Sequence, residues 1–505
     1  MKQLLAKIKT KHLHIAIIIL GIAFISLAAF HPDIWFDESY SVAIAKHNFA
    51  DIWTITGNDV HPPVYYWMLH IVFLIFGNNV TIFRLFSVLS IVIMGIMGYT
   101  HIRKDFGEKT GFLFSFLAYF MPVMCTYSQE IRMYSWACLF TFVMSIYAYR
   151  FYQNLKNNET KYKMKNLIVF GIFSMICCYT HYYALITACI VNLLLLIYVI
   201  KNRKKCKADF RNFLILAGIQ ILLYIPWLGY LWKQITHVGG GFWIGVGINT
   251  LVEVPSFQFR RQLDTNFAFN THTIVSLVAS LLMYAYIIYR MYRAKKEKDT
   301  MKPGVLAMVV YLGVIGIYLI PTFISPVLFS RYLFAMTGIY LFALAFFMAK
   351  EKRKWVTCFI CIAILLLGTW SNMTNIAINY DESNMKQIEY MKERIETDDI
   401  IIYSNIGNGG VIAAFFPENK QYFINGAHWD IEEAYKSYGP GMETIYDWKE
   451  VLKDYHGRIW LVDSENLGLY HDEFEKEGMK LLAGPERFDT RYQDYIYNII
   501  LLEKE

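Results

Sequence analysis

Long apolar runs constrain this chain more than any other feature, because backbone polar groups in hydrocarbon must be satisfied within each spanning segment. Runs that reach the ~17–25 residues needed to cross a bilayer as a helix lie near 13–30, 80–101, 110–126, 134–152, 166–182, 184–200, 212–230, 272–292, 304–325, 331–349 and 355–371. Eleven spans are expected. The run 64–76 is too short, at about 20 Å of helix, and Trp67 and His70 suit a helix lying in the membrane interface. With eleven spans the basic segments 2–11, 103–109, 156–165, 201–211, 290–302 and 350–354 all fall on one side. The positive-inside rule assigns that side to the cytoplasm. A multi-pass plasma-membrane protein follows, with a cytoplasmic N-terminus and three outer regions: 31–79, 231–271 and everything after about 372. Phe30-His31-Pro32 offers no small-residue cleavage site, so the first run reads as an uncleaved helix.

Composition supports two domains in different solvents, 1–371 in the membrane and 372–505 outside it. The chain is 56% hydrophobic and 18% charged, against roughly 25% charged in soluble domains. Residues 1–370 hold 35 of the 48 Lys+Arg but 15 of the 41 Asp+Glu; the remainder hold 13 and 26. The tail reads as a small soluble α/β domain, with strands expected near 399–404, 421–424, 457–463 and 495–502. Helices near 383–395, 410–416 and 447–455 alternate with them, which suggests a parallel sheet. Asn405-Ile-Gly-Asn-Gly-Gly410 after a strand bears a weak likeness to a nucleotide turn, but a structural or acceptor-docking role is favoured. All eight cysteines lie in the membrane part, which excludes a disulfide-stapled exterior and a paired-CxxC zinc site. Neither a Rossmann nor a Walker-type fingerprint is present, and no nucleic-acid partner is expected.

Charged residues at membrane depth are costly and therefore informative. Four clusters stand out: Trp35-Phe-Asp-Glu-Ser-Tyr40, His61-Pro-Pro-Val-Tyr-Tyr66, Tyr127-Ser-Gln-Glu-Ile-Arg-Met-Tyr134 and Ser330-Arg331-Tyr332. The expected topology puts all four at the outer membrane face. Each also has a bland reading. Asp37 and Glu38 suit the start of a helix, Glu130 and Arg132 a structural ion pair in a turn, His61 an extended approach to a helix, and Arg331 a snorkelling cation. His181 and Arg260-Arg261 are weaker candidates still.

Taken together these motifs resemble the GT-C integral-membrane glycosyltransferases, nearest to the branch of protein O-mannosyltransferases and aminoarabinose transferases. The resemblance runs over residues 10–350 and adds Phe83-Arg84-Leu85, Thr180-His-Tyr-Tyr183 and Arg331-Tyr332-Leu333 to the clusters above. It implies a GT-C-like helical membrane domain carrying a C-terminal soluble α/β domain. It also implies transfer of a sugar from a polyprenyl-phosphate donor to an envelope glycan, glycolipid or protein acceptor. By that resemblance Asp37 is the base, Glu130 a second acid and Glu38 an orienting or binding group. Substrate binding is expected at His61, Tyr65, Arg84, Gln129, Arg132, Tyr134, His181, Arg260, Arg331 and Tyr332. Some relatives have Lys where His61 stands, so a cationic role for His61 is in doubt. No metal-ligand spacing is present, and a reaction without metal or other cofactor is expected. The rival reading is a transporter or lipid flippase. Pro321 and Pro326 near the end of one span favour it; the lack of a two-fold repeat and the position of charges at outer ends oppose it.

Overall fold

The structure, a computed structural model, describes residues 2–204, 207–239, 248–260, 270–297, 301–322, 327–424, 435, 437–439, 441–463 and 474–504. Each of the eleven apolar runs is helical: α1 (Lys2–Ser26), α5 (Val80–Phe106), α6 and α7 (Glu108–Phe120, Pro122–Tyr127), α8 (Tyr134–Asn157), α9 (Lys163–Cys178), α10 (Tyr182–Lys201), α11 (Lys207–Gly239), α13 (Thr271–Glu297), α14 (Lys302–Thr322), the Ser330–Met336 3-10 turn with α15 (Thr337–Ala349), and α16 (Lys354–Asn379). Among the described residues, seven of these stretches are long and apolar enough to cross a membrane. Between them come α2 (Phe36–Ile44), α3 (Phe49–Asn58), α4 (Val64–Phe76) and α12 (Ile248–Ser256). The chain is a multi-pass membrane protein.

α4 has the bounds that its apolar run suggests. Tyr65, Tyr66, Leu69 and Val72 are buried, while Ile71, Leu74, Ile75 and Phe76 are exposed on the other face, the amphipathic pattern of an interfacial helix. Pro326 and Arg261 lie outside the described residues.

The described chain gathers into two units. The first comprises Met1–Ala29, Val60–Tyr65 and Arg84–Asn375; the second comprises Phe30–Asp59, Tyr66–Phe83 and Ile376–Glu505. The loop after α1 thus clusters with the C-terminal region.

In the first unit the Ser330–Ala349 stretch is almost wholly buried, whereas little of Lys207–Thr236 is buried. Ile215, Ile221, Leu222 and Leu223 line that exposed surface, as a lipid-facing helix requires. α5 and α6 touch backbone to backbone at two glycines. A Cβ on Gly98 would lie 2.7 Å from the Gly111 carbonyl, and one on Gly111 2.7 Å from the Arg103 Cβ. Small residues permit such close helix contact in lipid. α8 ends at Asn158, whose left-handed backbone (φ 55°) returns its N–H to Asn154 and Leu155.

The C-terminal region of the second unit holds a six-stranded sheet in the order β3-β2-β1-β4-β6-β5. Its strands are β1 (Ile400–Tyr403), β2 (Lys420–Ile424), β3 (Met442–Ile445), β4 (Gly457–Asp463), β5 (Lys480–Asp489) and β6 (Ile496–Lys504); helix α17 (Lys386–Lys392) precedes β1, and α18 (Ile406–Phe415) and α19 (Trp448–Val451) lie between strands. β3, β2, β1 and β4 are parallel, but β6 pairs antiparallel with β4 and β5 antiparallel with β6. The sheet is therefore mixed rather than parallel, because the last two strands fold back on each other as an edge hairpin. Ile402, Tyr422, Ile459, Leu461, Ile500 and Leu502 make its core with Trp448 and Phe474.

Gly111→Val should force α5 and α6 apart. Overpacking of this kind costs about 1–3 kcal/mol, and thermal unfolding of the purified protein should show a midpoint lower by about 2–4 °C.

Candidate active site

In the first unit the segment 128–133 turns between α7, which has Pro122 at its start, and α8. Gln129, Glu130 and Arg132 are all more than nine-tenths buried in that turn, and the Arg132 N–H returns to the Glu130 carbonyl (2.7 Å). Arg132 Nη2 donates to Nε2 of His61 (2.9 Å). A guanidinium only donates, so His61 braces the arginine by accepting through this nitrogen. It is placed by Pro62-Pro63 and by the Val64 N–H, which bonds the Tyr179 carbonyl (3.0 Å).

His181 caps α10, its Nδ1 accepting from the Tyr183 N–H (3.1 Å). It lies within the electrostatic reach of His61 and Arg132. Tyr134, Tyr183 and Tyr332 surround its ring at 5.6, 5.7 and 5.3 Å. Five of the expected residues, His61, Arg132, Tyr134, His181 and Tyr332, thus form one group, in which Arg132, Tyr134 and His181 are buried and His61 and Tyr332 half-buried.

A second group surrounds the Tyr127 hydroxyl, which feels two carboxylates, Glu130 and Glu253, and two guanidiniums, Arg331 and Arg260. Arg260 faces Glu253 at 3.6 Å, Ser330 donates to Glu253 (3.3 Å), and Arg331 lies over the Phe329 ring (4.6 Å). Glu253, on α12, escapes sequence reasoning; its signal is a lone carboxylate in an expected outer loop. Arg84 and Tyr65 are fully buried. The Ser128 and Ser135 hydroxyls and the Gln129 carbonyl oxygen are buried with no hydrogen-bond partner among the described residues. Buried polar atoms of that kind ordinarily find partners, so they mark where a polar ligand group would be satisfied.

Asp37 and Glu38 lie in the second unit, in the first turn of α2, where the helix dipole favours acids. Glu38 is fully buried and accepts from the Tyr492 hydroxyl (3.0 Å), 454 residues away in sequence. Asp37 is only partly buried. Burial pushes the Tyr438 phenol well above its usual pKa, with a smaller upward push from Asp37. Tyr438 therefore stays neutral beside the acidic turn. Among the described residues no three His, Cys, Asp or Glu gather as a metal-holding group.

The family model for dolichyl-phosphate-mannose-protein mannosyltransferases matches residues 60–230, a stretch containing His61, Glu130, Arg132 and His181. The apo ArnT of Cupriavidus metallidurans superposes with a TM-score of 0.64 at 11% identity, covering 98% of both chains. The same ArnT bound to undecaprenyl phosphate gives 0.61 at 11%, covering 97% of both. The Archaeoglobus fulgidus oligosaccharyltransferase, in complex with zinc and sulfate, gives 0.54 at 12%, covering 90% of this chain and 69% of that one. This chain has the GT-C fold. No protein of curated function matches its sequence. Within the GT-C fold, the buried cationic group is the feature that chemistry must explain.

Glu253→Gln and Arg260→Gln should each lower thermal stability, and the double variant should lose less than their sum. A double-mutant cycle should give a coupling of about 0.5–3 kcal/mol.

Proposed function

We propose that this protein transfers a sugar from a polyprenyl-phosphate carrier to an acceptor hydroxyl at the outer face of the plasma membrane. The observation that carries the reading is Arg132, a buried guanidinium braced by His61, in a turn where the Ser128, Gln129 and Ser135 side-chain oxygens have no hydrogen-bond partner among the described residues. Lipid-linked phosphate is the anion that a membrane-boundary cation of this kind suits, and the similar ArnT has been solved with undecaprenyl phosphate. The donor's isoprenoid tail would run among the apolar helices.

The chemistry assigns each residue a role. The acceptor oxygen attacks the anomeric carbon, the bond from that carbon to the phosphate oxygen breaks, and the acceptor proton passes to a carboxylate. Asp37, partly solvent-accessible, is the proposed base, and a single displacement inverts the anomeric centre. Polyprenyl phosphate leaves with an additional negative charge. Arg132 and Arg331 stabilise that charge more in the transition state than in the ground state. Arg suits the task because its planar fork meets two phosphate oxygens at once. Glu130 and Gln129 hold the sugar hydroxyls, and Tyr134, Tyr332 and His181 offer a ring-lined wall for the sugar face. Arg84, Tyr65 and Arg260 support binding. We propose no resident metal or cofactor.

The test is sugar transfer by purified protein from a panel of radiolabelled polyprenyl-phosphate hexoses and pentoses to an envelope extract. Wild type should consume one donor, and Asp37→Asn should lose about 10²–10⁴-fold in rate. Arg132→Ala should lose about 10²–10³-fold, and a chelator should leave the wild-type rate unchanged. Failure of wild type to consume any donor in the panel, or an Asp37→Asn variant as fast as wild type, overturns the reading.

A further inference from the structure

The acidic helix α2 does not stand alone in its unit; the soluble sheet domain holds it. A nine-residue helix is marginal by itself, so its geometry depends on what it packs against. Ser39 gives its hydroxyl proton to the Phe36 carbonyl (2.7 Å), which leaves the Tyr438 hydroxyl to donate to Ser39 (2.9 Å). Tyr495 accepts from the Phe36 N–H (3.4 Å), and Tyr492 donates to Glu38 (3.0 Å). Three tyrosines of the C-terminal region therefore grip one helical turn, the turn that carries Asp37.

The glycine-rich stretch after β1 belongs to the same arrangement. Its helix-start N–H groups are not open to a phosphate, because the Asn405 side chain accepts from Gly407 (2.9 Å) and Asn408 (3.2 Å). A Cβ on Gly410 would lie 2.6 Å from the Tyr438 hydroxyl, 2.8 Å from the Phe36 ring and 3.1 Å from Ser39 Oγ. One on Gly409 would enter the Tyr403 ring. Glycine at 409 and 410 lets α18 press against both its own sheet and α2.

We propose that the C-terminal domain is a positioning element for the acidic motif, with Tyr492 orienting Glu38 and the Tyr438–Gly410 contact fixing the turn that aims Asp37. The inference rests on the transferase reading for its catalytic half; its structural half stands apart. The domain is then part of the machinery that sets the base, not only an acceptor dock.

The experiment uses the full-length protein with Tyr492→Phe and Gly410→Ala, and with Leu481→Ser, an exposed edge-strand change, as control. Amide hydrogen exchange of residues 36–44 is read beside transfer kinetics and the unfolding midpoint. Tyr492→Phe should lower kcat about tenfold with donor KM unchanged, and should lower the unfolding midpoint slightly, as loss of a hydrogen bond to a buried carboxylate does. Gly410→Ala should raise exchange across 36–44 about tenfold, and Leu481→Ser should change neither. Unchanged exchange in Gly410→Ala overturns the grip. Faster exchange with kcat at the wild-type value reduces it to an anchor and overturns positioning. An inactive wild type overturns the transferase reading instead, and the exchange data still decide the grip.

Discussion

The hydrogen bond from Arg132 to His61 is the interaction on which the functional account depends. An arginine buried at membrane depth is expensive, and a protein keeps one only where it is neutralised or used. Here the His61 imidazole accepts from the guanidinium and fixes its direction. His61 is itself fixed by two prolines and by the backbone bond from Val64 to the turn before α10. Helix geometry, the proline-shaped approach and a buried cation are thus one arrangement, the one on which the proposed phosphate binding rests.

The second unit applies the same logic to acids. Glu38 is buried and hydrogen-bonded, whereas Asp37, its neighbour, is partly open. Two adjacent carboxylates in one helical turn are given different environments, one enclosed and one partly open. That division comes from tyrosines near the end of the chain.

Much of the fold was legible in the sequence, because spanning helices have to be about 20 apolar residues long. All eleven apolar runs are helical, and the bounds of the short α4 and of β4 match their sequence patterns. β3 and β5 were not legible: β5 is mostly exposed and carries Lys480, Glu486, Arg487 and Asp489, so it lacks the apolar signal of a buried strand. α18 begins at Ile406 rather than at Gly410 because Asn405 caps it, and its glycines serve packing. The arginine, histidine and tyrosine motifs of the first unit announced themselves by being polar in an apolar chain. Glu253 and Tyr492 did not, since their meaning lies in contacts with residues far away in sequence.

The central claim is that the carrier's sugar–phosphate bond is broken, not that the lipid is merely moved. Phosphorus NMR of wild-type protein in liposomes containing the consumed polyprenyl-phosphate sugar, with acceptor present, measures that bond directly. The account predicts that the phosphodiester signal gives way to a phosphomonoester at the rate at which sugar reaches the acceptor. A phosphodiester signal that persists while the sugar lipid changes leaflet would contradict it and establish a flippase on the GT-C fold.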